Sequence, residues 1–394
     1  MLKADMCSGC GLCAGISEGA IAMAMQPPGF ARPVARGPVS AATERVIADS
    51  CPGARVAPWA ADPDRHPYWG AARLTMTGQA VDPAVRFAGA SGGALSALAI
   101  HAIESGLVDR VLHVEADPDD PTGNRLRWSR GRDEVLAGAG SRYAASSPLE
   151  VIDAALAEGG TFAFIGKPCD ASALRQLGRH DPRVAERIPL ILSFYCGGLP
   201  SRAGAHRVVR AMGLEPDAVT AFRYRGNGWP GLTVAETRDG RSATMRYADS
   251  WGAHLSREVQ FRCKICPDAV GGVADIACAD AWYGDANGYP SFEEQDGRSL
   301  IQARSEAGAA LVRAALAARA ITAEPLAEAE IDRMQPSQAN RKRLIVARTT
   351  ACRAVGRSVP VMRGLDVGKA ARRAPLGLQL RNSMGTLLRI LRSA

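Results

Sequence analysis

Residues 188–195 read Ile188-Pro189-Leu190-Ile191-Leu192-Ser193-Phe194-Tyr195 and run directly into Cys196-Gly197-Gly198. An apolar run of this length, closed by glycines, reads as a buried strand and its natural end. Working outward, residues 161–165 and 110–115 are also strand-like. Before and between them, residues 92–107, 149–157 and 171–177 are helix-like, the first with Leu95, Leu98, Ala99 and Ala102 at helical spacing. This alternation predicts an α/β core whose strands are buried between helices. Over residues 220–250 charged residues alternate with Val, Thr, Met and Tyr, which predicts antiparallel strands. Residues 306–320 are Ala-rich and helical, and 326–334 continue as helix. The expected class is α/β with mixed α+β character.

The chain has 394 residues, long enough for two or three domains at roughly 100–200 residues each. No uninterrupted apolar run reaches the roughly 18 residues a membrane span needs. The stretch from Met1 to Cys10 lacks the apolar centre of a signal peptide. These features predict a cytoplasmic protein, where ten cysteines are metal ligands or redox groups rather than disulfides. No G-x-G-x-x-G and no Walker A motif occurs, so a Rossmann dinucleotide site is not expected.

The net charge of +8 is uneven. Residues 339–394 hold thirteen Lys and Arg against one acid, Asp366, which gives +12 and leaves −4 for the rest. Leu376, Leu380, Met384, Leu387, Leu388 and Leu391 fall at helical spacing, with Arg381, Arg389 and Arg392 off that stripe. The tail is therefore expected either to lie on an anionic surface, such as the inner face of a membrane, or to dock on the protein's own body. It has no aromatic residue to stack on bases, so nucleic acid is not expected as a partner.

Two groups of cysteines carry the chemistry. The first is Cys7-Ser8-Gly9-Cys10-Gly11-Leu12-Cys13, with Cys51-Pro52 further on. A close C-x₂-C-x₂-C triplet wraps one corner of an iron–sulfur cubane, and a remote C-P supplies the fourth thiolate. Zinc is the alternative, but its sites more often pair two separate C-x-x-C units. The second group is dispersed: Cys169 in Gly166-Lys167-Pro168-Cys169, Cys196 after the strand, and Cys263-Lys264-Ile265-Cys266. Here spacing alone leaves a cluster, half a zinc ribbon and plain buried thiols open. Cys278 and Cys352 remain and read as plain thiols, buried or exposed.

These residues resemble the coenzyme F420 hydrogenase/dehydrogenase beta-subunit family, which includes 7-hydroxymethyl chlorophyll a reductase and the iron–sulfur divinyl chlorophyllide reductase. The likeness runs from Cys7 to about Gly284. It is carried by the first cysteine group, Ser91-Gly92-Gly93, Gly140-Ser141-Arg142-Tyr143, Gly166-Lys167-Pro168-Cys169 and Phe194-Tyr195-Cys196. It continues through Phe222-Arg223-Tyr224-Arg225-Gly226, Gly228-Trp229-Pro230-Gly231, Cys263 with Cys266, Ala274-Asp275-Ile276 and Asp280-Ala281-Trp282. Two positions depart from the family pattern: Ala279 stands where a Gly is usual, and Asp170 where a Gln is usual.

The resemblance implies an FAD at a non-Rossmann site and two [4Fe–4S] clusters, the second on Cys169, Cys196, Cys263 and Cys266. It implies an iron–sulfur flavoprotein oxidoreductase acting on a small redox substrate, deazaflavin-like or another cyclic cofactor or pigment. A ferredoxin-like or other redox protein is the expected electron partner. The alternative is an electron-transfer subunit of a larger complex with no substrate of its own. The expected organisation is a ferredoxin-like iron–sulfur module over 1–60, a flavin and second-cluster α/β domain over 61–300 whose residues 61–85 are a linker followed by the entry to the domain proper, and a helical region over 301–394 ending in the basic tail.

Candidate flavin contacts are Ser91 as a helix N-cap with Gly92 and Gly93 beside it, and Ser141, Arg142 and Tyr143 as a hydroxyl, a phosphate fork and a stacking ring. Lys167 could steady a reduced, anionic flavin. Lys167 and His101 are the catalytic candidates, His101 as a proton donor on the helix after Ser91. An ordinary capped helix, a solvated lysine and a satisfied histidine are the plain alternatives.

Overall fold

A computed structural model of the chain describes residues 2–284 and 291–393. Its strands, in chain order, are β1 (Ile21–Gln26), β2 (Phe30–Ala35), β3 (Leu74–Ala80), β4 (Arg110–Ala116), β5 (Asn124–Ser129), β6 (Phe162–Ile165), β7 (Leu190–Phe194), β8 (Val219–Arg223), β9 (Leu232–Thr237), β10 (Ser242–Arg246), β11 (Ile276–Asp280), β12 (Ser299–Ala303) and β13 (Ile321–Pro325). Eight of them form one sheet in the order β13-β3-β12-β11-β7-β6-β4-β5. The middle four, β11, β7, β6 and β4, are parallel, and antiparallel strands flank them on both sides. A hairpin, β1-β2, stands near the N-terminus, and β8, β9 and β10 make a separate antiparallel sheet.

The parallel centre explains the run at residues 188–195. Successive side chains of a strand point to opposite faces, and both faces of this sheet are covered. Leu190 and Leu192 join a core with Leu98, Val111, Ile276, Leu311 and Val312, under the helices Ala94–Glu104 and Glu306–Ala317. Ile191, between them, faces the other layer with Leu112, Ile152, Phe162, Phe164 and Leu174, under Ile152–Ala157 and Pro168–Leu177. A strand with two core faces has no polar alternate, hence the unbroken apolar run.

Two observations bear on the expected organisation. Within residues 61–85, expected as a linker followed by the entry to the larger domain, β3 pairs with both β12 and β13. The second concerns position 301, the expected start of the helical region. It falls inside β12, all of whose residues are buried between β3 and β11, and β13 returns from the supposed helical region to the sheet edge. The N-terminal segment also packs into the body. Cys10 and Leu12 belong to the core of Leu149, Ile152 and Phe164, and Leu149 donates its N–H to the Cys10 carbonyl at 2.9 Å. Beyond the sheet the chain is helical: Glu328–Met334, Pro336–Arg343, Ile345–Ala354 and finally Leu376–Ser393, which lies along Ile345–Ala354.

Candidate functional site: two thiol sets and the edge beside them

The first set is built by a tight loop. Cys7, Cys10 and Cys13 lie around Gly9 and Gly11, and Gly11 caps the short helix Leu12–Gly15 with a φ of 86°. A Cβ on Gly11 would sit 2.7 Å from the Ser147 carbonyl, so only glycine allows the loop to press against the body here. Cys51 arrives at the C-terminal end of the helix Ala41–Ser50. Each thiol feels the others. Burial pushes Cys13 up to about 12, and Cys7 and Cys51 push it the same way. Burial raises Cys10 well above its usual value, with Cys51 adding to the effect.

The second set uses the parallel strands. Cys169 follows the end of β6 and Cys196 follows the end of β7, so two neighbouring strands deliver their cysteines to the same end of the sheet. Cys263 and Cys266 come from the short helix Phe261–Lys264 and the turn after it. All four line one pocket, with Ser8, Lys167, Leu199, Gln260, Arg262 and Arg341 around it. Burial lifts Cys169 well above its usual value and Cys196 to about 12. The Leu199 N–H and the Gln260 Nε2 each donate to Cys263 Sγ at 3.4 Å.

Polar side chains around this cavity have groups to spare. Ser8 Oγ, Gln260 Oε1 and Arg262 Nε are buried without a hydrogen-bond partner. Leaving such atoms unpaired costs about 1–3 kcal/mol each. The hydroxyl and the guanidinium N–H would be satisfied by the sulfides of a cluster, so this donor set fits an iron–sulfur group. A zinc ion holds its sulfurs at about 2.3 Å, which brings four thiolates to within about 4 Å of one another. Among the described residues, no three His, Cys, Asp or Glu side chains are placed to hold a single metal ion.

Basic residues from the tail close the second set. Arg341 donates to the Cys196 carbonyl at 2.7 Å and to the Gly197 carbonyl at 2.5 Å, and Gln338 donates to the Cys196 carbonyl at 3.1 Å. Lys342 is buried against Trp59 and donates to the Pro267 carbonyl. Burial brings its pKa down to about 7, against the opposing pull of Asp268 and Cys266. Part of the +12 counted on the tail therefore lies inside the protein. Sequence reasoning missed these residues because nothing in a basic run tells a buried charge from a solvated one.

The sequence-derived flavin residues are partly spoken for. Ser91 is not the N-cap. Gly93 holds that position, while Ser91 Oγ donates to the Ala279 and Arg298 carbonyls. Gly92 turns toward Gly297, whose carbonyl would lie 2.7 Å from an added Cβ. Arg142 offers no open phosphate fork: it donates to Asn124 and to the carbonyls of Phe222, Pro121 and Gly123. Tyr143 packs on Tyr224 and Trp251. Lys167 pairs with the fully buried Asp170 at 2.7 Å and reaches Ser146 Oγ at 3.2 Å, so it is no solvated turn lysine. His101 sits in the last turn of its helix, about 12 Å of helix rise from Gly93, and its Nε2 is buried without a partner.

The structure does bring the recurring motifs together. Arg225 donates to both oxygens of Asp280, at 2.8 and 2.5 Å, and Trp229 Nε1 donates to Asp280 at 2.8 Å. Trp229 stacks on Trp282 at 4.9 Å, and the Arg225 guanidinium lies over the rings of Trp282 and Tyr247. Ser141 bridges to Arg225, and Ser91 is held to Ala279. Segments from four places in the sequence thus meet at the end of β11. Residues 159–329 match the profile for the C terminus of the coenzyme F420 hydrogenase/dehydrogenase beta subunit, and residues 75–153 match the profile for its N-terminal part. The chain belongs to the coenzyme F420 hydrogenase/dehydrogenase beta-subunit family.

Within this family of oxidoreductase subunits the relatives are distant. The chain is 24% identical over 249 residues to the coenzyme F420 hydrogenase subunit beta of Methanococcus voltae, covering 61% of this chain and 80% of that protein. It is 24% identical over 217 residues to the chloroplastic 7-hydroxymethyl chlorophyll a reductase of Oryza sativa subsp. japonica, covering 55% of this chain and 44% of that one. An F420-dependent formate dehydrogenase subunit beta of Methanocaldococcus jannaschii is 24% identical over 226 residues, 57% of each chain. The chain thus spans only about half the length of the latter two. In fold it is similar to a chain of the F420-reducing [NiFe] hydrogenase complex from Methanosarcina barkeri, with a TM-score of 0.53 at 20% identity over 71% of this chain and 95% of that one. The second thiol set lies within the residues matched to the family profiles, and the first lies ahead of them.

Proposed function

We propose that this chain is an iron–sulfur flavoprotein relay, with a cluster on each thiol set and a flavin at the edge where Ser91, Ser141, Arg225 and Asp280 meet. The observation that carries the reading is the pair of four-thiol sets with unpaired polar groups around the second. When bound, the clusters supply one-electron transfer and the flavin exchanges two electrons with a small substrate. The chain's own work is placement and charge. Gln260 and Arg262 sit between the two sets, Arg341 and Gln338 fix the Cys196 loop, and Lys167 sets a buried cation beside Cys169.

Flavin placement follows the family resemblance and two features of the edge. Tyr283 and Phe292 are each about two-fifths exposed there, and the Arg298 guanidinium lies 3.9 Å from the centre of the Tyr283 ring. Exposed rings can take a planar heterocycle, and a guanidinium can take its phosphates. The substrate class that fits is a conjugated ring system, in keeping with the relatives' names.

A second reading is an electron-transfer subunit without a substrate of its own. It is favoured by the match to nearly the full length of one chain in a multi-subunit hydrogenase complex. Flavin content and EPR spectra of anaerobically reconstituted, dithionite-reduced protein test the proposal. Two cluster signals and bound flavin are expected. Two signals without flavin would leave the subunit reading, and no cluster signal would remove both.

A further inference from the structure

The C-terminal helix Leu376–Ser393 has two faces with different fates. One face docks on the protein. Thr386 and Ile390 are buried, Asn382 accepts from Arg348, and Ile390 joins Met6, Phe261, Ile265 and Cys352 in a small core. The other face is bare and apolar. Leu376, Leu380, Met384, Leu388 and Leu391 are 46 to 75% exposed, on a helix already held in place by its packed side.

We propose that this bare face binds the surface of an anionic lipid bilayer. Three observations select that occupant. The stripe steps by four, four, four and three residues, so at 3.6 residues per turn it drifts round the helix into a broad band. A broad band suits a flat surface, whereas a helical partner takes the narrow seam of alternating three and four. The charge is also one-signed: residues 367–394 contain no Asp or Glu, and Arg381 and Arg392 are exposed along the edge between the apolar band and the packed face. Arginines at that edge reach headgroup phosphates while the leucines enter the acyl boundary. A second copy stacked on the same face would bring arginine against arginine with no acid to offset them. Finally, among the described residues no helix is long and apolar enough to cross a membrane, so the contact is peripheral.

The test is flotation of the full-length protein with phosphatidylcholine vesicles, with and without about 30 mol% phosphatidylglycerol. Co-flotation with the anionic vesicles is expected, and little with phosphatidylcholine alone. The paired change Leu380→Glu and Met384→Glu should abolish it. Arg381→Gln with Arg392→Gln should lower it by about 10–30-fold, since each basic residue near the surface contributes about one kcal/mol. All four side chains point to solvent, so unchanged iron content should accompany both variants. Absence of wild-type flotation would overturn the proposal, as would flotation that survives the glutamates. A wild-type dimer that the glutamates turn into a monomer, without lipid binding, would assign the face to a second copy. An acidic protein bound there in place of lipid would overturn it too.

Discussion

Arg262 donates from Nη2 to the carbonyl oxygen of Pro52 at 2.9 Å, and so ties the second thiol set to the residue that follows Cys51 in the first. Arg262 is 2% exposed; burial pulls its pKa down, but Cys266, Cys169 and Cys263 around it outweigh that and raise it above its usual value. Gln260 makes the parallel connection, from Nε2 to the Ser8 carbonyl and to Cys263 Sγ, each at 3.4 Å. The two sets are therefore joined through side chains.

Replacing Arg262 removes a positive charge next to both sets. Adding an electron to either cluster then becomes harder, so Arg262→Gln should make both reduction potentials more negative. A hydrogen bond to a charged group is worth about 1.5–3 kcal/mol, and about 59 mV corresponds to a tenfold change for one electron, so the shift should be on the order of 100 mV. EPR-monitored titration reads both potentials. A shift in only one of them would mean that Arg262 serves a single set.

Cys169→Ser should remove one cluster and keep the other. Cys169 stands at the head of the helix Pro168–Leu177, while the first set is held by its own loop and by Cys51. Iron should fall by about half, by the count of two equal cubanes. Loss of all iron from a folded protein would mean that the first set depends on the second.

Asp170 is completely buried and faces Lys167 from two directions, through the Nζ at 2.7 Å and the backbone N–H at 2.9 Å. Asp170→Ala leaves the lysine charge buried and unpaired, a loss of about 3–5 kcal/mol. A lowered melting temperature of the anaerobic holoprotein should result. The double change Asp170→Ala with Lys167→Met should recover much of it, because both charges are then gone.

Gly92 separates a packing role from a ligand role. Its φ is 67°, and an added Cβ would meet the Gly297 backbone. Gly92→Ala should therefore loosen the link between the Ser91 turn and β12, lowering thermal stability even in protein stripped of flavin. Unchanged stability combined with lost flavin would show that the residue faces the ligand instead.

Much of the α/β centre was readable because its elements have one-sided or two-sided apolar patterns of their own. The strands β4, β6 and β7 and the helices between them fall within a few residues of the expected places. The other half of the sheet was not. β3, Leu74–Ala80, carries only two large apolar residues, Leu74 and Met76, and β12 contains Ser299 and Gln302, both buried. β3 pairs with partners more than 200 residues away in sequence, and β12 is buried because it lies between β3 and β11, neither of which a local pattern records. The same holds for the site. The cysteines announce themselves by residue type and spacing. Arg262, Gln260, Arg341 and Lys342 become meaningful only when folding puts them beside thiols, and Arg142 loses its expected role because nearby carbonyls claim its donors.

The central claim is that the two thiol sets each hold a four-iron cluster. It is tested most directly by iron and acid-labile sulfide measured on protein prepared without oxygen. About eight of each per chain are expected. Stoichiometric zinc with no sulfide would contradict the account.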